Sequence, residues 1–173
     1  MSVQLFLATA KPLQKTVYKY KDILPTIAPG DTFYSEGISF DSNLSDAEKL
    51  AIGNIFDQFC CYAIRSEFKL DYEPRFRHVL SERYAINSLE ELKWFRSFAK
   101  KKIFQQDVFM LIKLCLGHRT NFNAICTETI DVNNWELSDE KSWEFDYGVV
   151  YQFIDNSEEA IKKRMQKMQN LNQ

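Results

Sequence analysis

Two histidines are the side chains best suited to general acid–base chemistry near neutral pH: His78 in FRHVLSERY and His118 in GHRTNFN. Arg119 follows His118, and a guanidinium can present a two-pronged fork to a carboxylate or phosphate. His118 and Arg119 could therefore hold an anion at a loop tip, with His78 a further candidate for catalysis. Neither histidine sits in a motif. Gly117 and Asn121 flank the His118–Arg119 pair with residues that favour turns, so a polar hairpin loop accounts for the stretch without any chemistry. A hydrogen-bonded side chain on a short helix accounts for His78. The four cysteines, Cys60, Cys61, Cys115 and Cys126, have none of the zinc spacings, and TETID lacks the pattern of a calcium loop. With five glycines in the chain there is little material for phosphate loops, dinucleotide-binding loops or nucleophile elbows, and none is present. These absences favour a non-enzyme that holds no metal and no cofactor. The alternative is a small-ligand-binding or catalytic domain built on His118 and Arg119.

A stronger signal lies in NNWELSDEKSWEFDYGVVYQF, residues 133–153. Trp135 and Trp143 bracket Glu136, Asp139 and Glu140, and Glu144 follows. Aromatic side chains dominate binding hot spots, and clustered carboxylates speed association with a cationic partner. Phe145, Tyr147, Val149, Tyr151 and Phe153 alternate and share one face of a strand, a face that core packing alone explains. The tryptophans and carboxylates before them fit a protein-binding surface. Its partner would be a basic protein, as in an inhibitor or immunity-type protein that sequesters a nuclease.

Charge along the chain agrees. From Lys93 to Arg119 there are seven basic residues and one acidic residue, 7 − 1 = 6 net positive. From Glu128 to Glu159 there are ten acidic residues against Lys141, 10 − 1 = 9 net negative. The overall balance of −2 conceals this division. Lys100, Lys101 and Lys102 at a helix C-terminus complement the negative end of its dipole. With a pI near 5.8 the chain lacks the broad basic footprint of a nucleic-acid-binding protein. The longest apolar run, around VFMLI, is far short of the roughly 20 residues that cross a bilayer. The N-terminal stretch MSVQLFLATAKPL has no basic segment ahead of its apolar residues, so a cytoplasmic protein is expected. Reduced thiols fit that compartment, with Cys115 and Cys126 the two that could meet.

The elements that must position these groups follow from periodicity. The 173 residues suit a single α+β domain over 1–173. Strands are expected at Val3–Thr9, at residues 32–40 and 106–117, and in NFNAICTETIDV and WEFDYGVVYQFI. The last three are expected to form an antiparallel C-terminal meander. Leu13, Val17, Tyr20 and Leu24 recur at helical spacing after Pro12. A capping box at Ser45 and Glu48 opens a helix whose apolar stripe runs from Ala47 to Ala63. Pro74 could open a short helix. A second capping box at Ser88 precedes a helix with Leu89, Leu92, Phe95, Ala99 and Ile103 inward. Ser157 caps a terminal helix over 157–173 with Ile161, Met165 and Met168 on one stripe. The expected architecture is a mixed sheet of about five strands with helices mainly on one face.

Overall fold

The computed structural model describes residues 3–23, 35–68, 89–103, 106–117, 119–120, 125–135 and 145–173. Among them, seven strands form one mixed sheet: β1 (Val3–Thr9), β2 (Val17–Lys19), β3 (Ser35–Asp41), β4 (Cys60–Phe68), β5 (Phe109–Cys115), β6 (Cys126–Asp131) and β7 (Val149–Ile154). Their order across the sheet is β2-β3-β4-β1-β5-β7-β6. Four helices accompany them: α1 (Tyr20–Ile23), α2 (Asp46–Ile52), α3 (Leu89–Ile103) and α4 (Glu158–Leu171). The α+β class and the mixed sheet agree with the sequence.

The central strand β1 shows why the sheet needs cover on both sides. Strand residues alternate between faces, so Leu5 and Leu7 join one core while Phe6 and Ala8 join the other, all four fully buried. On the first face, α3 lays Trp94, Phe95 and Phe98 over Phe40, Phe109 and Phe153. Phe98 stacks on both Phe40 and Trp94, with centroids 5.2 and 5.4 Å away. Tyr20 of the single-turn α1 joins this core, so most helical cover lies on one side. On the second face, Ala51 and Ile52 of α2, with Phe56 from the turn after it, cover Ala63, Ile112 and Val150.

Three sequence expectations are corrected. The helix opened by Ser45 does form: the serine Oγ accepts from the Glu48 amide at 3.3 Å, and Glu48 Oε2 accepts from the Ser45 amide at 2.8 Å. It stops at Gly53, whose φ of 50° is open to glycine and strained for other residues. The chain then turns, and Cys60–Phe68 pairs antiparallel with β1, matching Ala63 to Phe6. Second, the helix expected over Pro12–Leu24 is an edge strand followed by a single turn, because β2 pairs with β3 and buries Tyr18. These two segments bring the strand count to seven.

Third, the C-terminal strands do not form a meander. β7 pairs antiparallel with β5, and β6 pairs with β7 in parallel. Burial explains the exchange of places. Val149, Tyr151 and Phe153 of β7 enter one core and Val150 the other, so this strand requires an interior position. CTETID of β6 is polar and mostly exposed, and it takes the edge. The helix proposed after Pro74 lies outside the described residues. The terminal helix forms behind its Ser157 cap, whose Oγ accepts from the Ala160 amide at 3.3 Å. Among the described residues no helix is long and apolar enough to cross a membrane.

Candidate functional site

The acidic and aromatic segment begins at the β6 edge. Cys126, Thr127, Glu128 and Thr129 are all exposed, and β6 has no second strand neighbour among the described residues. The chain leaves β6 through a polar knot. Asp131 Oδ1 accepts from the Asn133 amide at 3.1 Å, and its Oδ2 accepts from Asn134 Nδ2 at 2.9 Å. Asp155 Oδ1, at the end of β7, accepts from Asn133 Nδ2 at 2.7 Å and from the Ser157 amide at 2.9 Å. Burial raises both carboxyls, but the hydrogen bonds from Asn133, Asn134, Asn156 and Ser157 prevail and hold them below the usual aspartate value. Both are thus charged but committed to fastening β6 to β7.

Beyond the knot, Val132 is buried and its amide donates to the Ile154 carbonyl at 3.0 Å. Trp135 is partly buried. Its ring lies 5.4 Å from Phe153 and 6.2 Å from Phe145, and its carbonyl accepts from Arg96 Nη1 at 2.9 Å. Phe145, 7% exposed, also packs on Tyr151 at 5.0 Å. Tyr151 Oη accepts from the Asp146 amide at 2.9 Å, and burial raises its phenol above the ordinary value. The residues on either side of 136–144 are therefore both anchored in the aromatic core.

These findings divide the expected partner-binding residues. Trp135 has a structural task at the margin of the core. Glu136, Asp139, Glu140, Trp143 and Glu144 lie outside the described residues. Of the other carboxylates in the acidic stretch, Glu128 and Asp146 face solvent, while Glu159 pairs with Lys163 at 2.9 Å on the terminal helix.

The alternative site is not brought together among the described residues. His78 and His118 lie outside them, and Arg119 is exposed. Its neighbour Thr120 donates to the Ala51 carbonyl at 2.7 Å, tying this turn to the end of α2. No group of three or more His, Cys, Asp or Glu among the described residues could hold a metal ion. All four thiols are free, Cys126 exposed and the others half-buried. Burial, with a smaller contribution from the Glu48 carboxylate, pushes Cys61 up to about 12, so it remains a thiol at neutral pH.

Sequence reasoning missed two charge clusters. Arg65 of β4 forks onto Glu48 at 2.8 and 3.0 Å and reaches Asp41 at 2.8 Å. A strand assignment for residues 60–68 would have aligned Arg65 with β3. The second cluster joins Lys11 and Lys15 to Lys102 across the fold, and no local spacing foretells it. No protein-family model, curated protein or solved structure matches the chain.

Proposed function

We propose that the protein is a non-enzymatic binding module that engages a basic protein partner, such as a nuclease, in the manner of an inhibitor or immunity protein. The acidic surface that begins at Glu128 and ends at Asp146 would receive it. The observation that carries this reading is the pairing of an exposed polar edge strand with two core-anchored residues, Trp135 and Phe145, that flank the acidic segment. β6 offers Glu128 at a sheet edge with no further strand among the described residues, and Trp135 and Phe145 hold the two flanks of residues 136–144 against one core. Anchored flanks reduce the ordering cost that a partner must meet on binding. Four carboxylates against Lys141 in the intervening stretch supply the field that attracts a cation-rich surface. Four unpaired thiols suit a reducing compartment, the cytoplasm.

The test is affinity capture from the native cell with two baits. One is the wild-type chain, and the other carries Glu128→Gln, Glu136→Gln, Asp139→Asn, Glu140→Gln and Glu144→Gln. A basic protein retained by the first and lost from the second is the expected result. Equal recovery on both baits would remove the acidic surface from consideration.

A further inference from the structure

Two lysines of one connection meet a third, distant in sequence, near the edge of the sheet opposite β6. Lys11 and Lys15 belong to the connection between β1 and β2, and Lys102 to the last turn of α3. With Gln14, Tyr18 and Gln106 they line a cavity of about 430 Å³, within the range of small-molecule sites. The walls are tied down. Thr9 Oγ1 donates to the Lys11 carbonyl at 2.7 Å, the Lys11 amide donates to Gln106 Oε1 at 2.9 Å, and the Leu13 amide donates to Tyr62 Oη at 2.9 Å. The floor is the Tyr18 ring, 3% exposed and set edge-on against Phe40 and Phe98. The ammonium groups of Lys15 and Lys102 stand 5.1 and 5.2 Å from that ring's centroid.

Among the described residues, charge balance within the cavity is incomplete. Asp22 approaches Lys15 Nζ only to 3.6 Å and is 46% exposed at its side chain. Asp107 feels Lys11, but its close partner is Lys167 at 2.8 Å. Among the described residues no carboxylate bridges to Lys102, whose ammonium rests on the aromatic face. Three lysines line one concavity, and the ammonium groups of two of them stand over the same Tyr18 ring, where they repel one another unless an anion sits between them. Each offers up to three donors, and Gln106, whose oxygen is taken by the Lys11 amide, keeps its two amide hydrogens. A phosphate group, with several acceptor oxygens and up to two charges, matches this donor set. Among the described residues the cavity's lining carries three lysines around one concavity, which favours a small molecule over a nucleic-acid strand.

We infer that the groove between the β1–β2 connection and the last turn of α3 binds a compact phosphate-bearing small molecule through Lys11, Lys15 and Lys102 above the Tyr18 ring. The site lies near the edge opposite the acidic surface and is independent of that surface's function. Two sources share the chemistry, inorganic phosphate or pyrophosphate and a phosphorylated organic molecule such as a nucleotide.

The full chain, labelled with ¹⁵N, is titrated with phosphate, pyrophosphate, AMP and ATP while amide shifts are followed. Saturable shifts at Lys11, Lys15, Lys102 and Gln106 are expected for at least one of them. The ranking of the four separates the free anion from the nucleotide. Lys15→Gln and Lys102→Gln, both on water-accessible side chains, should keep the wild-type melting temperature and each weaken binding about tenfold, the scale of one charged hydrogen bond. Lys102→Glu should abolish binding. Three results would each overturn the inference: no saturable shift from any ligand up to millimolar concentration, wild-type affinity in both glutamine variants, or affinity for a single-stranded oligonucleotide that rises with its length.

Discussion

Removal of the Trp135 side chain distinguishes a ring that holds the acidic segment in place from one displayed to a partner. A fully buried aromatic covers on the order of 200 Å². The partly buried Trp135 retains roughly two-thirds of that, which at about 25 cal/mol per Å² amounts to roughly 3 kcal/mol. Its contacts with Phe153 at 5.4 Å and Phe145 at 6.2 Å add specific ring interactions, while water entering the vacated margin limits the cavity cost. Trp135→Ala should therefore destabilise the fold by about 2–3 kcal/mol and Trp135→Phe by about half as much. The hydrogen bond from Arg96 reaches the backbone carbonyl and survives both changes. Urea unfolding followed by far-ultraviolet circular dichroism measures the effect as a lowered midpoint at unchanged slope. A loss below about 0.5 kcal/mol would refute the anchoring role and return Trp135 to the set of exposed contacts.

Arg65→Met should cost about 2 kcal/mol at pH 7. It strands Glu48, whose side chain is 3% exposed, while the 37% exposure of Arg65 keeps the loss below that of a fully buried pair. In the wild type, burial raises Glu48, but the bonds from Arg65 and Ser45 hold it below its ordinary 4.5. The hydrogen bond from Arg65 likewise lowers Asp41 from 3.8. Their contribution is full above about pH 4.5 and drains away as pH falls through the lowered values. Without Arg65, burial of Glu48 is opposed by the Ser45 bonds alone, so the gap between variant and wild-type urea midpoints should narrow from pH 7 to pH 3; a constant gap would contradict this. Gly37→Ala should destabilise by about 2 kcal/mol or more, because a Cβ there would collide with the Tyr18 carbonyl oxygen. Protection of the Tyr18 amide from hydrogen exchange should fall with it, and unchanged protection would count against the tight β2–β3 approach. Alkylation of the native protein should label Cys126 first and Cys61 last, with four additions after denaturation as read by intact mass. Two missing additions would reveal a disulfide.

Elements whose pattern admits a single interpretation were readable from the chain. β5 is apolar on both faces and could only be central, and α3 presents Leu92, Phe95 and Ala99 at helical spacing. β2 and β4 were hidden because their residues satisfy two periods. Val17 to Tyr20 fits a helix by its outer spacing, yet Tyr18 and Tyr20 are the buried pair. Ala47 to Ala63 keeps a helical stripe across Gly53, although Cys60–Phe68 pairs as a strand on both sides, with β1 and with β3. Such pairings are tertiary and leave no local trace. Likewise the acidic run was visible as a charge count, but the partial burial of Trp135 depended on where Phe145 and Phe153 arrived. The convergence of Lys11, Lys15 and Lys102 depended on β2 being a strand.

The most direct test of the acidic surface is the association rate of the captured basic partner, measured against ionic strength. The comparison is between the wild type and the variant Glu136→Gln, Asp139→Asn, Glu140→Gln, Glu144→Gln. Electrostatic steering accelerates association by roughly 10- to 1000-fold at low salt and is screened over about 8–10 Å near physiological salt. The wild type should therefore associate at least about tenfold faster at low ionic strength, and its rate should fall more steeply as salt is added. Equal rates with equal salt dependence in the two proteins would contradict a steering role for these carboxylates.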